Sequence, residues 1–251
     1  MNKHTDHIGS LAKGLRVLEC FDADHPRMSI SEVSVRTGLD RATARRCLLT
    51  LSHEGYAEYD GKYFSLTPRT LRLGIGVLSS LPLPQIVQPW LDQLTEQIGQ
   101  SCSVAILEGS EIVYLARAAQ KKVMSIGLMP GSRLPAHCTS LGRVLLAALP
   151  EDKALTILDR TDLSPRTPRS LSNKEEILAR LKLVAAQGYA TIDEEVEIGL
   201  RSIAVPLIDR KGTTVAALNT GMAATHHSME DLVSEFLPPL KRVQESLRDL
   251  L

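Results

Sequence analysis

Three arginines lie within six residues of this sequence, and their chemistry suits contact with nucleic acid. Arg41, Arg45 and Arg46 share a segment of helical periodicity with Thr43. An arginine can bind a guanine edge or a phosphate of DNA, and a threonine hydroxyl can bond to either. With about 100° between successive residues of a helix, the apolar residues of this segment face one side and most polar residues face the other. The pattern predicts a helix that reads DNA; a solvated basic face on an ordinary helical subdomain is the alternative.

The residues around this segment predict how the helix is held. Ser29 and Glu32 match a capping box that starts the preceding helix, and Gly38 suits the left-handed end of that helix. Asp40 is a good N-cap for the next helix, over residues 41–54. Two helices joined by so short a turn are typical of a helix-turn-helix, whose second helix enters the major groove.

A β-hairpin is predicted directly after these helices, because aromatic residues flank Asp60-Gly61, a strong hairpin signal. An earlier helix is predicted over residues 10–21, so three helices precede the hairpin. This order predicts a winged helix-turn-helix over residues 8–67, with Lys62 near the wing tip as a phosphate contact. An exposed lysine without a role is the alternative there. The predicted DNA-binding residues are Ser29, Ser31, Asp40, Arg41, Ala42, Thr43, Arg45, Arg46, Thr50 and Lys62.

A second candidate site lies at the predicted start of a helix, at Thr139, Ser140 and Leu141. The first amides of a helix and the positive end of its dipole suit a carboxylate. Arg133 is a candidate counter-ion for an aromatic or dicarboxylic acid, and an ordinary surface arginine is the alternative. Ser140 is expected either to contact a ligand or to serve only the helix start.

The sequence supports an enzymatic function of the same region less well than a ligand-binding function. Ser140, His137 and Asp193 supply the residue types of a hydrolase, but no G-x-S-x-G surrounds the serine. Cys138 follows His137 directly, and neighbours on a loop usually point apart. The two adjacent histidines at 226–227 lack the spacing to other ligands that a zinc site requires. We therefore predict no catalytic residue, no metal and no cofactor; an enzyme with an appended DNA-binding module is the alternative.

Composition is that of an ordinary globular chain of 251 residues, with 29 basic and 29 acidic residues. No apolar run reaches the roughly 18 residues of a membrane span, so no membrane partner is expected. The first ten residues lack the apolar core of a signal peptide. The four cysteines form no C-x-x-C pair, which favours a reducing cytoplasm over a disulfide framework.

Pro82 and Pro84 mark the clearest seam of the chain. A linker helix is predicted over residues 68–82, and its Leu71, Leu73, Ile75 and Leu78 offer a dimer surface. Residues 83–251 are predicted to form an effector-binding and oligomerisation domain of the α+β class, around a central antiparallel sheet. Its predicted strands are 102–107, 112–116, 123–128, 203–208 and 214–219; its predicted helices are 86–98, 139–149, 177–187 and those after Ser228. Ser172 and Glu175 match a capping box for the third of these helices, and the acidic stretch 193–197 is expected to be a solvated loop with Arg201 nearby.

The sequence resembles the IclR family of bacterial transcriptional regulators over almost its whole length. The segments that carry the resemblance are 9–18, 31–39, 51–56, 63–66, 135–143, 188–190 and 193–204. Within the family, residues 130–135 followed by 139–143 are similar to the PcaR, PcaU and PobR subgroup, which governs aromatic-acid breakdown through the β-ketoadipate route. The resemblance implies a regulator that responds to a small organic acid; regulation of another carboxylic-acid or sugar-acid pathway is the alternative.

The resemblance also implies a GAF-like effector domain, and homodimers that associate further as dimers of dimers. It places the effector beside the loop before Thr139, the acidic stretch and the last strand. By matching motif positions, the effector-binding residues it implies, besides Arg133, are His137, Ser140, Leu141, Ile192, Leu200, Ser202, Asn219 and Thr220.

Overall fold

The computed structural model describes residues 7–22, 24–73, 82–120, 127–225 and 227–251. The chain divides into two compact units, Met1–Ser80 and Leu81–Leu251. Within the described ranges, no helix is long and apolar enough to cross a membrane.

The N-terminal unit has three helices and a small antiparallel sheet of strand order β1-β3-β2. Its elements are α1 Gly9–Glu19, β1 Arg27–Met28, α2 Ile30–Thr37, α3 Arg41–His53, β2 Ala57–Tyr59, β3 Phe64–Leu66 and a 3-10 turn at Pro68–Thr70. Val17, Val33, Leu48 and Phe64 form its core, all at most 1% exposed. The element order confirms the predicted winged helix-turn-helix.

Local capping positions α2 and α3 as the sequence predicts. Ser29 and Glu32 form both bonds of the capping box. Gly38 ends α2 with a φ of 67°, a conformation that costs glycine little. Asp40 then accepts a hydrogen bond from the backbone N–H of Thr43 at 2.9 Å, which starts α3.

The predicted linker helix falls only partly on described residues. After the 3-10 turn, residues 71–73 are helical, and Leu71 and Leu73 are 66% and 51% exposed. Ile75 and Leu78 lie outside the described residues.

The C-terminal unit is built around a six-stranded antiparallel sheet of strand order β6-β5-β4-β9-β8-β7. Its strands are β4 Ser101–Glu108, β5 Glu111–Ala118, β6 Arg133–Pro135, β7 Ala190–Asp193, β8 Leu200–Ile208 and β9 Thr214–Ala223. Its helices are α4 Pro82–Ile98, α5 Ser140–Ala147, α6 Glu151–Leu158, α7 Lys174–Gln187, α8 Met229–Asp231 and α9 Leu237–Leu247, with a 3-10 turn at Ala136–Cys138 and a π-helical turn at Leu232–Phe236.

Each face of this sheet carries its own core. Helices α5, α6 and α7 pack on one face, with Tyr114, Ala204 and Ala217 from the strands. Helices α4 and α9 pack on the other face, with Val104 and Leu218. Successive strand residues point to opposite faces, so the alternation of side chains decides which residues meet which helices.

Two local predictions in this unit need correction. The N-cap of the helix predicted over 177–187 is Asn173 and not Ser172: its side chain accepts from the backbone N–H of Glu176 at 3.0 Å, and the helix begins at Lys174. Asparagine caps as well as serine does, so the motif alone did not choose between them. Most of the strand predicted at 123–128 lies outside the described residues, and its two described positions, 127 and 128, are not in a strand.

Candidate functional site

The exposed face of α3 carries the predicted basic residues. Arg41, Ala42, Arg45, Arg46 and Thr50 are exposed. The apolar residues on the opposite side of the helix, Ala44, Leu48 and Leu51, are buried in the core of the N-terminal unit. Leu49 is the exception, an apolar side chain 39% exposed on the outward face. The helix therefore presents guanidinium groups to the solvent over its whole first half.

Several of the predicted polar contacts are already used within the unit. The Thr43 hydroxyl donates to Asp40 at 2.7 Å, and the Thr50 hydroxyl donates to the Arg46 carbonyl at 2.8 Å. The Ser29 hydroxyl donates to Glu32 at 2.6 Å, whereas Ser31 is exposed. These hydroxyls hold the helix starts and turns, so the arginines are the groups with most reach toward a partner.

The wing is held by the side chain of Asp60. Its carboxylate accepts from the backbone N–H groups of Lys62 and Tyr63, at 2.9 and 2.7 Å, and forms an ion pair with Arg27. These bonds lower the pKa of Asp60. Lys62 is exposed near the tip, with its Nζ 4.8 Å from the centroid of the Tyr63 ring.

A cavity in the C-terminal unit opens between the sheet, the start of α5 and the segment after β7. The cavity has a volume of about 30 Å³. That is room for roughly two waters, so a ring-sized ligand requires one wall to move. The described lining residues are Ser101, Ser103, Tyr114, Arg117, Leu128, Leu134, Thr139, Ser140, Val196, Leu200, Ser202, Asn219 and Gly221.

Strand register places three polar side chains of this cavity in one row. Ser103 on β4 pairs with Arg117 on β5 and with Asn219 on β9. The Arg117 guanidinium donates to the Ser103 hydroxyl at 2.9 Å. Burial lowers the pKa of Arg117, but a guanidinium is so basic that it stays charged near neutral pH. The row therefore supplies a cation, a hydroxyl and an amide to one end of the cavity.

A β-bulge in β5 turns Arg117 toward this cavity. Val104 pairs with Ala116 while the next residue, Ala105, pairs with Tyr114, so Leu115 is an extra residue without a partner. Such a bulge switches the face of the strand that follows it. Tyr114 and Arg117 consequently line the same cavity although they are three positions apart.

Tyr114 adds a neutral polar group to the cavity. The residue is 4% exposed, and burial raises its pKa to about 12. Its phenol therefore keeps its proton at neutral pH and can either donate or accept a hydrogen bond.

Four of the predicted effector residues line the cavity: Ser140, Leu200, Ser202 and Asn219. The Ser202 hydroxyl donates to the Ser140 hydroxyl at 2.8 Å, which joins β8 to the start of α5. Thr139 caps that helix through the backbone N–H of Gly142.

The other predicted effector residues lie elsewhere. Arg133 is on the surface in β6, where it pairs with Glu108 at 2.5 Å and with Glu111 at 2.8 Å. Leu141 and Ile192 are buried and do not line the cavity. Thr220 directly follows Asn219 on β9, so its side chain points to the other face of the sheet. Its hydroxyl donates to the Ser101 carbonyl at 3.1 Å.

His137 is also outside the cavity lining, 2% exposed in the turn before α5. Neither ring nitrogen has a hydrogen-bond partner among the described residues. Burial and the nearby Arg143 lower its pKa, so the ring is neutral at neutral pH. Burial raises the pKa of the adjacent Cys138 thiol to about 11, which keeps that sulfur protonated.

Comparison with known proteins agrees with both halves of the molecule. Residues 10–61 match the IclR helix-turn-helix domain, and residues 75–248 match the bacterial transcriptional regulator IclR C-terminal domain. The chain is 42% identical to the Pca regulon regulatory protein of Pseudomonas putida, over 96% of this chain and 84% of the relative. It is 37% identical to the p-hydroxybenzoate hydroxylase transcriptional activator of Acinetobacter baylyi, over 98% and 93%. This chain belongs to the IclR family of bacterial transcriptional regulators.

A solved structure extends the comparison to the effector domain of this IclR-family regulator. The PobR inducer-binding domain of Acinetobacter, a double mutant crystallised with 3-hydroxybenzoic acid, shares 31% identity and a TM-score of 0.64. The match covers 67% of this chain and 98% of that domain. Fold class and family are therefore confirmed as the sequence predicted them.

The acidic stretch of this IclR-family regulator is not the solvated loop expected from its sequence. Glu195 is buried and binds Arg143 through two hydrogen bonds of 2.7 and 2.6 Å. Asp193 pairs with Arg201 at 2.6 Å, as expected, and also with Arg169 at 2.6 Å. The carboxylates of Glu195 and Asp193 are paired within the fold because arginines from three separate segments converge on this stretch.

Sequence reasoning missed Ser101, Ser103, Tyr114 and Arg117 as cavity residues of this regulator. A signal was present, because Arg117 follows five uncharged residues near the end of the strand Glu111–Ala118. A cation inside an apolar strand needs a polar environment. Its position relative to Asn219, about 100 residues later, depends on strand pairing and not on local spacing.

Proposed function

We propose that this regulator binds operator DNA through α3 and the wing, and that an aromatic carboxylic acid of the hydroxybenzoate class in the cavity controls that binding. It acts in the cytoplasm on genes for the breakdown of aromatic compounds. The observation that carries the proposal is the row Arg117–Ser103–Asn219 in a cavity otherwise lined largely by small and apolar side chains. Charge-assisted bonds of this kind bind a carboxylate well, and apolar walls suit a ring.

The relatives support this effector class. One is a regulator of the Pca regulon, another activates transcription for p-hydroxybenzoate hydroxylase, and a third holds 3-hydroxybenzoic acid. Arg133 takes no part in the proposal, because its surface carboxylate partners lie away from the cavity. An acid from another catabolic pathway is the competing effector, since the same row would bind any small carboxylate.

We further propose that the active species is a homodimer or a dimer of dimers. One recognition helix and one wing give a small footprint, so useful affinity needs two copies on paired half-sites. Exposed Leu11, Leu15 and Leu71, 58%, 46% and 66% exposed, leave apolar surface on the N-terminal unit that supports such association.

The first test is thermal unfolding of the full chain against 3- and 4-hydroxybenzoate, protocatechuate, β-ketoadipate, muconate, pyruvate and glyoxylate. A ligand at 100 times its Kd stabilises the folded state by about 2.7 kcal/mol, which is a clear shift. We expect stabilisation by at least one aromatic acid, and a changed affinity for operator DNA in its presence. Stabilisation by pyruvate or glyoxylate alone would move the effector to another pathway. Chemical conversion of a bound acid during incubation would favour the enzyme alternative.

Replacing Arg46 with alanine is expected to weaken operator binding by about 1–3 kcal/mol if its guanidinium reads a base. Arg180→Ala is the matched control, because it removes the same charge from the exposed face of α7 in the other unit. Lys62→Ala should weaken binding to all DNA sequences alike and reduce its salt dependence, as loss of a phosphate contact does. Fluorescence anisotropy with operator and scrambled duplexes at fixed salt measures all three. An unchanged affinity of the Arg46 variant would remove that residue from the reading surface.

A further inference from the structure

A buried ion pair lies directly behind the effector cavity without lining it. Arg143 is 1% exposed and Glu195 is 7% exposed. The two nitrogens Nη1 and Nη2 donate to Oε1 and Oε2 of Glu195 at 2.7 and 2.6 Å, while Nε donates to the His137 carbonyl at 3.0 Å. The guanidinium is therefore held at three points, two of them in a fixed bidentate geometry.

The two partners belong to two different segments that contribute residues to the cavity lining. Arg143 is one turn into α5, whose first residues, Thr139 and Ser140, line one wall. Glu195 precedes Val196, which lines the other wall together with Leu200. The ion pair thus ties the start of α5 to the segment Glu194–Gly199, called the wall loop below.

The wall loop places one apolar side chain, Val196, in the core of this sheet face, and is otherwise held by short polar contacts. Glu194 has a left-handed backbone with φ 58°, and its carboxylate accepts from the Gly199 N–H at 2.8 Å. The hydroxyls of Thr167 and Ser170 donate to the carbonyls of Glu194 and Glu195 at 2.7 and 2.6 Å. Ile198 is 59% exposed. Such a segment can open locally without unfolding the sheet behind it.

The fit of this cavity makes motion of a wall necessary for ligand entry. The cavity volume is about 30 Å³, which holds roughly two water molecules and is far less than a benzoate ring needs. We infer that Arg143 and Glu195 are positioning residues that latch the wall loop against α5, so that the loop closes on a bound acid and retains it. The inference rests on the proposed function, in which this cavity holds the effector.

Stability alone is a poor account of this pair. Replacing a buried ion pair by apolar residues of similar size is often neutral or stabilising, whereas removing one partner leaves an uncompensated charge. Arg143→Met combined with Glu195→Leu therefore separates the two roles. We expect this double variant to fold with an unfolding midpoint equal to or above that of the natural chain. Its Kd for 3-hydroxybenzoate should rise by about tenfold or more, through faster dissociation, because the closed loop is no longer preorganised.

Hydrogen exchange provides a readout that does not depend on any ligand. The amide of Glu194 donates to the Leu200 carbonyl and that of Gly199 donates to Glu194, so both report on closure of the wall loop. We expect both amides to exchange about tenfold faster in the double variant, while amides of β4 and β9 keep their protection. Glu151→Gln with Lys182→Gln removes an exposed ion pair of the same unit and should change neither measurement.

The outcomes separate the latch from the effector assignment. Faster exchange in the double variant, together with a natural chain that binds none of the acids, would keep the latch and reject the proposed effector class. Unchanged exchange and unchanged Kd in the folded double variant would overturn the latch. If the double variant does not fold, Arg143→Lys keeps the charge and loses the bidentate fork. Its wall-loop amides should still exchange faster, and unchanged exchange there would overturn the latch as well.

Discussion

Arg117→Met is expected to weaken binding of 3-hydroxybenzoate by at least about 2 kcal/mol, roughly thirtyfold in Kd, while the protein stays folded. Truncating one partner of a desolvated, hydrogen-bonded charge pair typically costs this much or more. The Arg117 guanidinium is half-buried beside Ser103, in register with Asn219, so no other charged group of the described lining can replace it. Methionine has a similar length, which limits the cavity left behind.

Two control variants sharpen this expectation. Arg133→Met removes the other arginine that the sequence offered as a counter-ion, and we expect an unchanged Kd because its surface partners are Glu108 and Glu111. Arg117→Lys keeps the charge and loses the planar fork, so an intermediate Kd is expected. Isothermal titration of all three variants with the same acid gives the comparison. A loss on Arg133→Met with normal binding by Arg117→Met would place the carboxylate outside the cavity.

Gly142→Ala is expected to destabilise the C-terminal unit by about 3 kcal/mol or more, the upper end of the cost of overpacking. A Cβ at Gly142 would lie 2.2 Å from the Ala136 carbonyl oxygen and 2.3 Å from the Ala136 Cα. These are backbone atoms of the turn before α5, so no side-chain rotation relieves the overlap. Either α5 or the turn must shift, and both carry cavity or latch residues.

A second helical glycine provides a control of opposite sign. Gly14 lies inside α1 and a Cβ there would have nothing within 4 Å. Alanine is favoured over glycine in a helix by about 1 kcal/mol, so Gly14→Ala should stabilise the N-terminal unit. Urea unfolding, monitored by hydrogen exchange at the backbone amides of each unit, distinguishes the stabilities of the two units. Equal stability of Gly142→Ala and the natural chain would show that the turn moves freely and that its position does not matter.

The DNA-binding half was largely predictable from the sequence because its signals are local. Capping by Ser29 and Asp40 acts over three residues, and Gly38 ends α2 through its own backbone conformation. The apolar and basic sides of α3 follow from helical periodicity, which the core around Leu48 bears out.

The effector half was predictable in class but not in detail. Ser140 and Ser202 were predicted from family motifs and do line the cavity. Thr220 was predicted beside Asn219, yet neighbours on a strand face opposite sides of the sheet. The N-cap of α7 moved from Ser172 to Asn173, since two good caps in succession differ too little for sequence to choose.

The sequence by itself determined a winged helix-turn-helix, an α+β effector domain and the family, since helical periodicity, caps and motifs are encoded within short segments. Only the tertiary structure decided that Arg117, and not Arg133, lies in the cavity, and that Arg143 binds Glu195, 52 positions away. The bulge at Leu115 and the register of β4 with β9 set the first outcome. The second outcome follows from the burial of two distant segments against each other. Both outcomes were out of reach of local patterns, because strand pairing and the exclusion of water depend on partners far away in the sequence.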